Sequence, residues 1–440
     1  MPRTGRPQFG RRSHRDPHSL SAPQLVEDFF RHEYGRLVAI LCRRVGVQHI
    51  EAVEDAVQGA LMAALESWPI AGLPDAPSAW LFRAAHNDLM GSLRRRTRRS
   101  RLLEQYAATL RDTPEDSQEF TLSREVDDDL LRMLFVCCNE AIPGHSQLVL
   151  ALKTLCGFDI REISLRLFVT EATVYKRLGR ARRRLRDLPL RTDGLTGSQI
   201  SSRLPAVRQI LYQLFTEGYL SCRAETAIRR ELCCEAIRLA TLLAEHPLGA
   251  APETFALVAL MHMHAARMTA RQDATGGLVL LEEQDRDLWD RRGIELGMTW
   301  LTKSAHGDVF SRYHAEAGIA AEHCLAHSFS ETRWAKIVEC YALLERIAPS
   351  AIHTLNRAVA VAEWQGPAAG LAVLGDVRPP AWLSKTYAWA AVRADLHRRN
   401  GNARAASRYR TRAYEAAPTS VLKRALERRF VSRTSADRRI

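Results

Sequence analysis

Apolar residues recur every three to four positions along nearly the whole chain, and no stretch alternates singly between turn residues as paired strands do. That period predicts an all-α protein. From Leu25 to Arg44, the residues Leu25, Phe29, Phe30, Leu37, Ile40 and Leu41 share one helical face. From about Glu51 to Trp68, Val53, Val57, Leu61 and Leu65 repeat at i+4. The stretch WPIAGLPDAP then predicts a loop closed by Pro77, a residue suited to a helix start, and a third helix from near Ser78 into the run RRRTRRSR. Residues 102–126 turn polar and predict a linker; Asp127 to Leu188 reads as a compact helical unit ending before Pro189. A second linker is expected over 191–203, and about ten further helical segments after Arg203.

A chain of 440 residues exceeds one ordinary core, so about three domains are expected. The formal charge of +13 and a pI near 9.6 point to an anionic partner. No run of about 18 apolar residues occurs, so neither a spanning helix nor a membrane partner is expected. Residues 1–20 are basic without a following apolar stretch, which predicts a disordered basic tail rather than a secretory signal. The nine cysteines include the adjacent pairs Cys137/Cys138 and Cys233/Cys234 but no C-x-x-C spacing. Reduced thiols in a cytoplasmic protein fit that pattern better than a disulfide framework or a zinc site.

The sharpest local signal lies between Gly157 and Arg186. Asp159-x-x-Glu162 is a capping box that starts a short helix, REISLRLF; Val169-Thr170 breaks it, and Thr170 can cap the next helix, EATVYKRLGRARRRLR. A short helix, a tight turn and a longer basic helix predict a helix-turn-helix whose second helix enters a major groove. Glu171, Thr173, Tyr175, Lys176, Arg177 and Arg180 sit on its early turns, where side chains reach base edges. Arg182, Arg183, Arg184 and Arg186 are placed for phosphates, positioning the helix without reading sequence. The plainer alternative is a basic surface helix packed on a neighbour. A second cluster, Arg94 to Arg101, holds six arginines in eight positions, more than helix capping needs. Extended at about 3.3 Å per residue, the intervening linker spans up to about 85 Å, more than the roughly 70 Å of two duplex turns.

In their order these units resemble the sigma-70-type factors of the extracytoplasmic-function group, which keep two conserved regions, 2 and 4. Residues 21–101 resemble region 2. Asp55-Ala56-Val57-Gln58, followed by Ala63, Leu65 and Trp68, is similar to the segment that docks on core RNA polymerase, which implies docking by Asp55, Val57, Gln58 and Leu61. Ser78 to Asn87 is similar to the helix following the −10 specificity loop, so Pro69–Pro77 would be the loop that captures a flipped base. The resemblance implies −10 contacts from Trp80, Arg83, His86 and Asn87, with Arg94, Arg95, Arg96 and Arg98 on the strand's backbone. The family often has Arg where His86 stands and Asp where Gly91 stands. Residues 127–190 resemble region 4, whose helix-turn-helix would read −35 duplex.

Residues 204–425 resemble the tetratricopeptide-like extension of one group of these factors. Within it, Tyr387 to Ala413, with Asn400-Gly401-Asn402 between two small-residue helices, fits one repeat-like hairpin. The extension is expected to regulate the factor, with a protein or peptide ligand on a concave helical surface. Residues 426–440 are expected to form a basic tail, and a chain cut after Leu190 is expected to keep its first two modules.

The acids Asp273, Glu282, Glu283, Asp285, Asp287 and Asp290 lack EF-hand spacing and read as a polar loop leading into a helix, with Trp289 as a packing anchor. His262 and His264 point to different helical faces, so no metal site is expected. Without a Walker A motif, dinucleotide fingerprint or nucleophile elbow, no cofactor and no enzymatic activity are expected. The leading reading is a transcription-initiation subunit for promoter DNA. The alternative is a free-standing helix-turn-helix regulator with a ligand-sensing repeat domain, and an enzyme in the C-terminal half is a third reading that rests only on the acidic loop.

Overall fold

The structure, a computed structural model, describes residues 22–104, 122–187, 196–221, 228–273, 277–375, 377–417 and 419–436. The expected tail over 1–20 lies outside them. Among the described residues every regular segment is helical, with one isolated bridge between Gln272 and Leu278. The first three helices are α1 (Ala22–Val45), α2 (Ile50–Ala71) and α3 (Pro77–Glu104). Next come α4 (Leu122–Cys137), α5 (Gly144–Thr154), α6 (Ile160–Arg166) and α7 (Glu171–Asp187). The C-terminal half opens with α8 (Gly197–Tyr219), α9 (Arg230–Glu245), α10 (Pro252–Ala266), α11 (Arg291–Ser304) and α12 (Arg312–Leu325). It continues through α13 (Trp334–Ile347), α14 (Ala351–Gln365), α15 (Pro367–Gly375) and α16 (Ala381–Ser384) to α17 (Tyr387–Arg399), α18 (Ala403–Ala416) and α19 (Ser420–Ala436).

Several boundaries move, each for a physical reason. In α2 the i+4 series drifts about 40° per step, because a helix turns about 100° per residue. Val53 and Val57 are therefore buried, Leu61 is half-buried, and Leu65 has rotated out to 52% exposure. The inner stripe is Ile50, Val53, Val57, Ala60 and Ala64. The helix runs through Pro69 to Ala71, so the loop expected from Trp68 shrinks to residues 72–76. The second linker is shorter too, because Thr196-x-x-Gln199 is a capping box: the Thr196 side chain accepts from the Gln199 N–H, and Gln199 returns the bond. Residues 426–436 belong to α19, with Leu426 and Phe430 buried, rather than to a tail.

The expected modules are not separate. One buried cluster runs from Leu37 and Val57 in α1–α2, through Leu134 and Leu150 in α4–α5, to Val207 in α8 and on to Leu257 in α10. Where α1 crosses the end of α5, a Cβ on Gly35 would stand 2.0 Å from the Leu155 carbonyl oxygen, so the approach admits only glycine. Arg203, buried at the start of α8, donates to the Phe135 carbonyl at 3.0 Å. A cut after Leu190 therefore strips part of the shared core, contrary to the expectation that two intact modules remain.

Beyond α12, small residues let helices pack closely. Leu355, Ala358, Ala362, Leu374, Trp389 and Leu396 form one further cluster over α14–α17; Ala390, Ala394, Ala413, Leu426 and Phe430 form another over α17–α19. The turn after α17 places Gly401 at φ +77°, and the Asn402 side chain caps α18 by accepting from the Ala405 N–H at 3.0 Å. The last helix folds back: Arg428 donates to Asp273 at 2.8 Å and to the Leu278 carbonyl.

Candidate nucleic-acid interface

The helix-turn-helix is built as the residues dictate. Asp159 accepts from the Glu162 N–H at 2.7 Å while Glu162 accepts from the Asp159 N–H at 2.7 Å, starting α6. Phe168 turns the chain with φ +53°, uncommon for a bulky residue, and its ring meets Trp382 of α16 at 5.0 Å between centroids. The Thr173 N–H then donates to the Thr170 hydroxyl at 3.3 Å, starting α7. Along α7, Val174, Leu178, Ala181 and Leu185 are buried. Glu171, Tyr175, Lys176, Arg180, Arg183 and Arg184 are exposed, whereas Thr173 and Arg177 are half-buried.

Two of the arginines assigned to phosphate are otherwise engaged. Arg182 bonds the carboxylate of Glu54, which is buried and also accepts from the Thr154 hydroxyl at 2.8 Å. Arg186 meets Glu51 at 3.1 Å. In this arrangement both tie α7 to α2, and Arg43 ties α1 to buried Asp129 at 2.9 Å. Burial raises the Glu54 carboxyl above its ordinary range, and neighbouring Arg182 pulls the other way. A carboxyl raised in the packed form stabilises that form below its ordinary pKa, and the contribution is lost as pH rises through the raised value. The difference in radius of gyration between wild type and Glu54→Gln, followed by X-ray scattering upward from about the ordinary carboxylate pKa near 4.3, is expected to change with pH. A flat difference would contradict this.

The α2–α3 surface divides in the same way. Asp55 and Gln58 are exposed and Leu61 is half-buried, but Val57 is fully buried and serves the core, which corrects its expected docking role. Met62, Leu65, Ile70 and Leu73 leave large apolar side chains in water along α2 and its following loop, Ile70 at 90% exposure. The i+4 reading missed Met62; Ile70 and Leu73 are legible only as apolar residues inside a Pro/Gly-bearing stretch. Trp80 is half-buried with its ring 5.6 Å from that of Trp68. His86 stacks on Phe82 at 5.8 Å, and the Arg44 guanidinium lies 4.9 Å over the Phe82 ring. Arg83, Asn87, Arg94 and Arg95 are exposed on α3; the side chains of Arg96 and Arg98 lie outside the described residues.

The C-terminal half grips the helix-turn-helix from behind, which sequence did not suggest. Arg229, ahead of α9, reaches Glu162 at 2.9 Å with both side chains buried, and Arg166 stands 3.7 Å from fully buried Glu217 of α8. The capping carboxylate of α6 is thus also an ion-pair partner of the C-terminal half. As for the acidic loop, Trp289 is buried as expected, with Arg267 and Arg286 over its ring at 4.9 and 4.6 Å. No helix among the described residues is long and apolar enough to cross a membrane.

Comparison with known proteins agrees with this layout. Residues 29–99 match the family described as Sigma-70 region 2, residues 132–185 that described as Sigma-70, region 4, and residues 203–305 a family of unknown function, DUF6596. The chain is similar to "Uncharacterized protein R00370" of Rhizobium meliloti (strain 1021), 36% identical over 328 residues that cover 74% of this chain and 77% of that protein. No solved structure matches. Two sigma regions in order, the second carrying a capped helix-turn-helix, followed by a helical C-terminal half, place the chain in the sigma-70 family, as a factor for promoter-specific transcription of the extracytoplasmic-function-like type with a C-terminal extension.

Proposed function

We propose that the chain binds core RNA polymerase through α2, reads −10 DNA as a single strand with α3 and the loop before it, and reads −35 duplex with α7. The observation that carries this is α7 itself: one face packs on α5 and α6, while the other exposes Tyr175, Lys176, Arg180, Arg183 and Arg184 above a capped turn. The exposed apolar row Met62, Leu65, Ile70 and Leu73 favours core docking over the free-standing regulator, which leaves that row without a purpose. Asp55, Gln58 and Leu61 border it. Trp80 and His86, held by neighbouring rings, offer stacking surface for unpaired bases, and Arg83, Asn87, Arg94 and Arg95 offer backbone contacts. The paired helices α13–α14 and α17–α18 support a tetratricopeptide-like reading of the extension, which regulates the factor through its grip on α6 and offers helical surface to a protein or peptide regulator.

Run-off transcription with purified core polymerase tests the reading: the chain is expected to direct initiation from specific promoters, and tight DNA binding without initiation or co-purification with core would sink it. Lys176→Ala or Arg180→Ala is expected to cost about 1–3 kcal/mol where the side chain reads a base. Arg183→Ala is expected to weaken binding across sequences and to lower the salt slope by about 1. Equal affinity of all three variants and wild type, measured by anisotropy across a salt series, would place recognition elsewhere.

A further inference from the structure

The extension carries a half-open cavity of about 360 Å³ between the segment that follows α10, the segment after Gly277, and α19. That is within the about 300–1,000 Å³ typical of small-molecule sites. Its walls divide by chemistry. Leu278, Leu280, Leu281, Leu422, Ala425 and Leu426 make an apolar lining, while Arg267, Arg271, Arg429 and Gln284 supply polar groups.

Arg267 and Arg271 are set into the wall without carboxylate partners, whereas Arg429 at the rim pairs with Asp395. Arg267 is 6% exposed, and its Nε has no hydrogen-bond partner. Arg271 lies 3.6 Å over the Tyr219 ring and donates to the Tyr219 carbonyl at 2.5 Å. Arg286 adjoins them behind Trp289 and donates to the carbonyls of His323 and Ala326, both at 2.6 Å. Among the described residues none of these three arginines enters an ion pair, although Glu331 acts on Arg286 at longer range, and Asp273 and Asp395 have other partners. Asp273 holds Arg428 at 2.8 Å, and Asp395 holds Arg398 and Arg429 at 3.1 and 3.5 Å. Burial, with Arg267 beside it, draws the Arg271 pKa down; burial and the same two arginines draw His264 down. Clustered buried cations are stable only with compensation, and a ligand anion provides it. The Gln284 Oε1 is buried without a partner on the same wall and could accept from the remaining O–H of a singly ionised phosphate monoester, a bond that a carboxylate head group would not make.

We propose that this cavity binds a small amphipathic anion, a carboxylate or phosphate monoester on an apolar body, with its head group on Arg267 and Arg271 and its body against the leucines of α19. One wall lies within the family match that ends at residue 305 and the other beyond it, so the ligand would bridge the two ends of the extension. The inference concerns the extension alone and stands whether or not the promoter reading holds.

Calorimetric titration of the full chain with octanoate, octyl phosphate, octylammonium and inorganic phosphate tests it. One-to-one binding of octanoate or octyl phosphate is expected, the tighter of the two identifying the head group, with octylammonium at least tenfold weaker. Arg429→Gln, at the half-open rim, is expected to weaken the anion at least threefold. Gln284→Glu, which builds a carboxylate into the wall, is expected to abolish binding and raise the melting temperature of the free chain. Binding of octylammonium as tight as that of the anions, no binding of either anion, or inorganic phosphate matching octyl phosphate would overturn the proposal. Undiminished anion binding in both variants would overturn it too, since a folded Gln284→Glu chain with wild-type affinity places the anion elsewhere.

Discussion

Arg229→Ala is expected to destabilise the helix-turn-helix by about 3–5 kcal/mol, the range for removing one partner from a buried ion pair. Both side chains are buried at a 2.9 Å contact, so Glu162 cannot regain solvent without moving α6. Glu162 also accepts the Asp159 N–H, so a displaced carboxylate costs the capping box as well. The −35 affinity should therefore fall, although Arg229 lies outside the recognition helix. Urea unfolding paired with duplex-binding anisotropy measures both effects. A double-mutant cycle with Glu162→Gln is decisive: the double variant should lose much less than the sum of the singles. A single-variant loss below about 1 kcal/mol, the scale of an exposed pair, would show that this contact does not hold the extension to region 4.

Gly35→Ala should separate regions 2 and 4. Overpacking a core typically costs about 1–3 kcal/mol, but here the added methyl would face a backbone oxygen at 2.0 Å that no rotamer change removes. The first response available is withdrawal of α1 from the end of α5, which also strains the Glu54 contacts with Thr154 and Arg182. Release of Arg182 and Arg186 adds two cations to the free face of α7. The expected result is a larger radius of gyration, faster amide exchange in α5 and α7, and tighter, more salt-sensitive duplex binding. The gain in DNA affinity distinguishes opening from misfolding, which would lower it. An unchanged radius with wild-type affinity would mean that the packed arrangement does not compete with DNA.

What could be read from residues alone was whatever is local. Asp159, Glu162 and Thr170 declare their caps within three positions, and the structure places them as the spacing requires. The apolar period fixed helix identity but blurred its face, because an i+4 series and a 3.6-residue turn part company over three steps, as Leu65 shows. Thr196 and Gln199 carried a readable cap that the surrounding polar residues masked. Contacts across long separations were not legible. Nothing around Gly35 announces Leu155, and the charge of Arg182 looks the same whether it meets phosphate or Glu54. Glu54 stands beside the Val53–Val57 stripe, but only the structure shows it buried and bonded to Thr154 and Arg182.

The return of α19 to the segment around Asp273 and Leu278 sets a schedule for making the protein. Asp273 and Leu278 receive Arg428 only after some 150 more residues have been joined, roughly 8–30 s at about 5–20 residues per second. Regions 2 and 4 and α8 emerge early enough to pack together during that interval. The ring of contacts that completes the extension closes only once α19 has been made, so a nascent factor has its promoter-facing parts before it has its last wall.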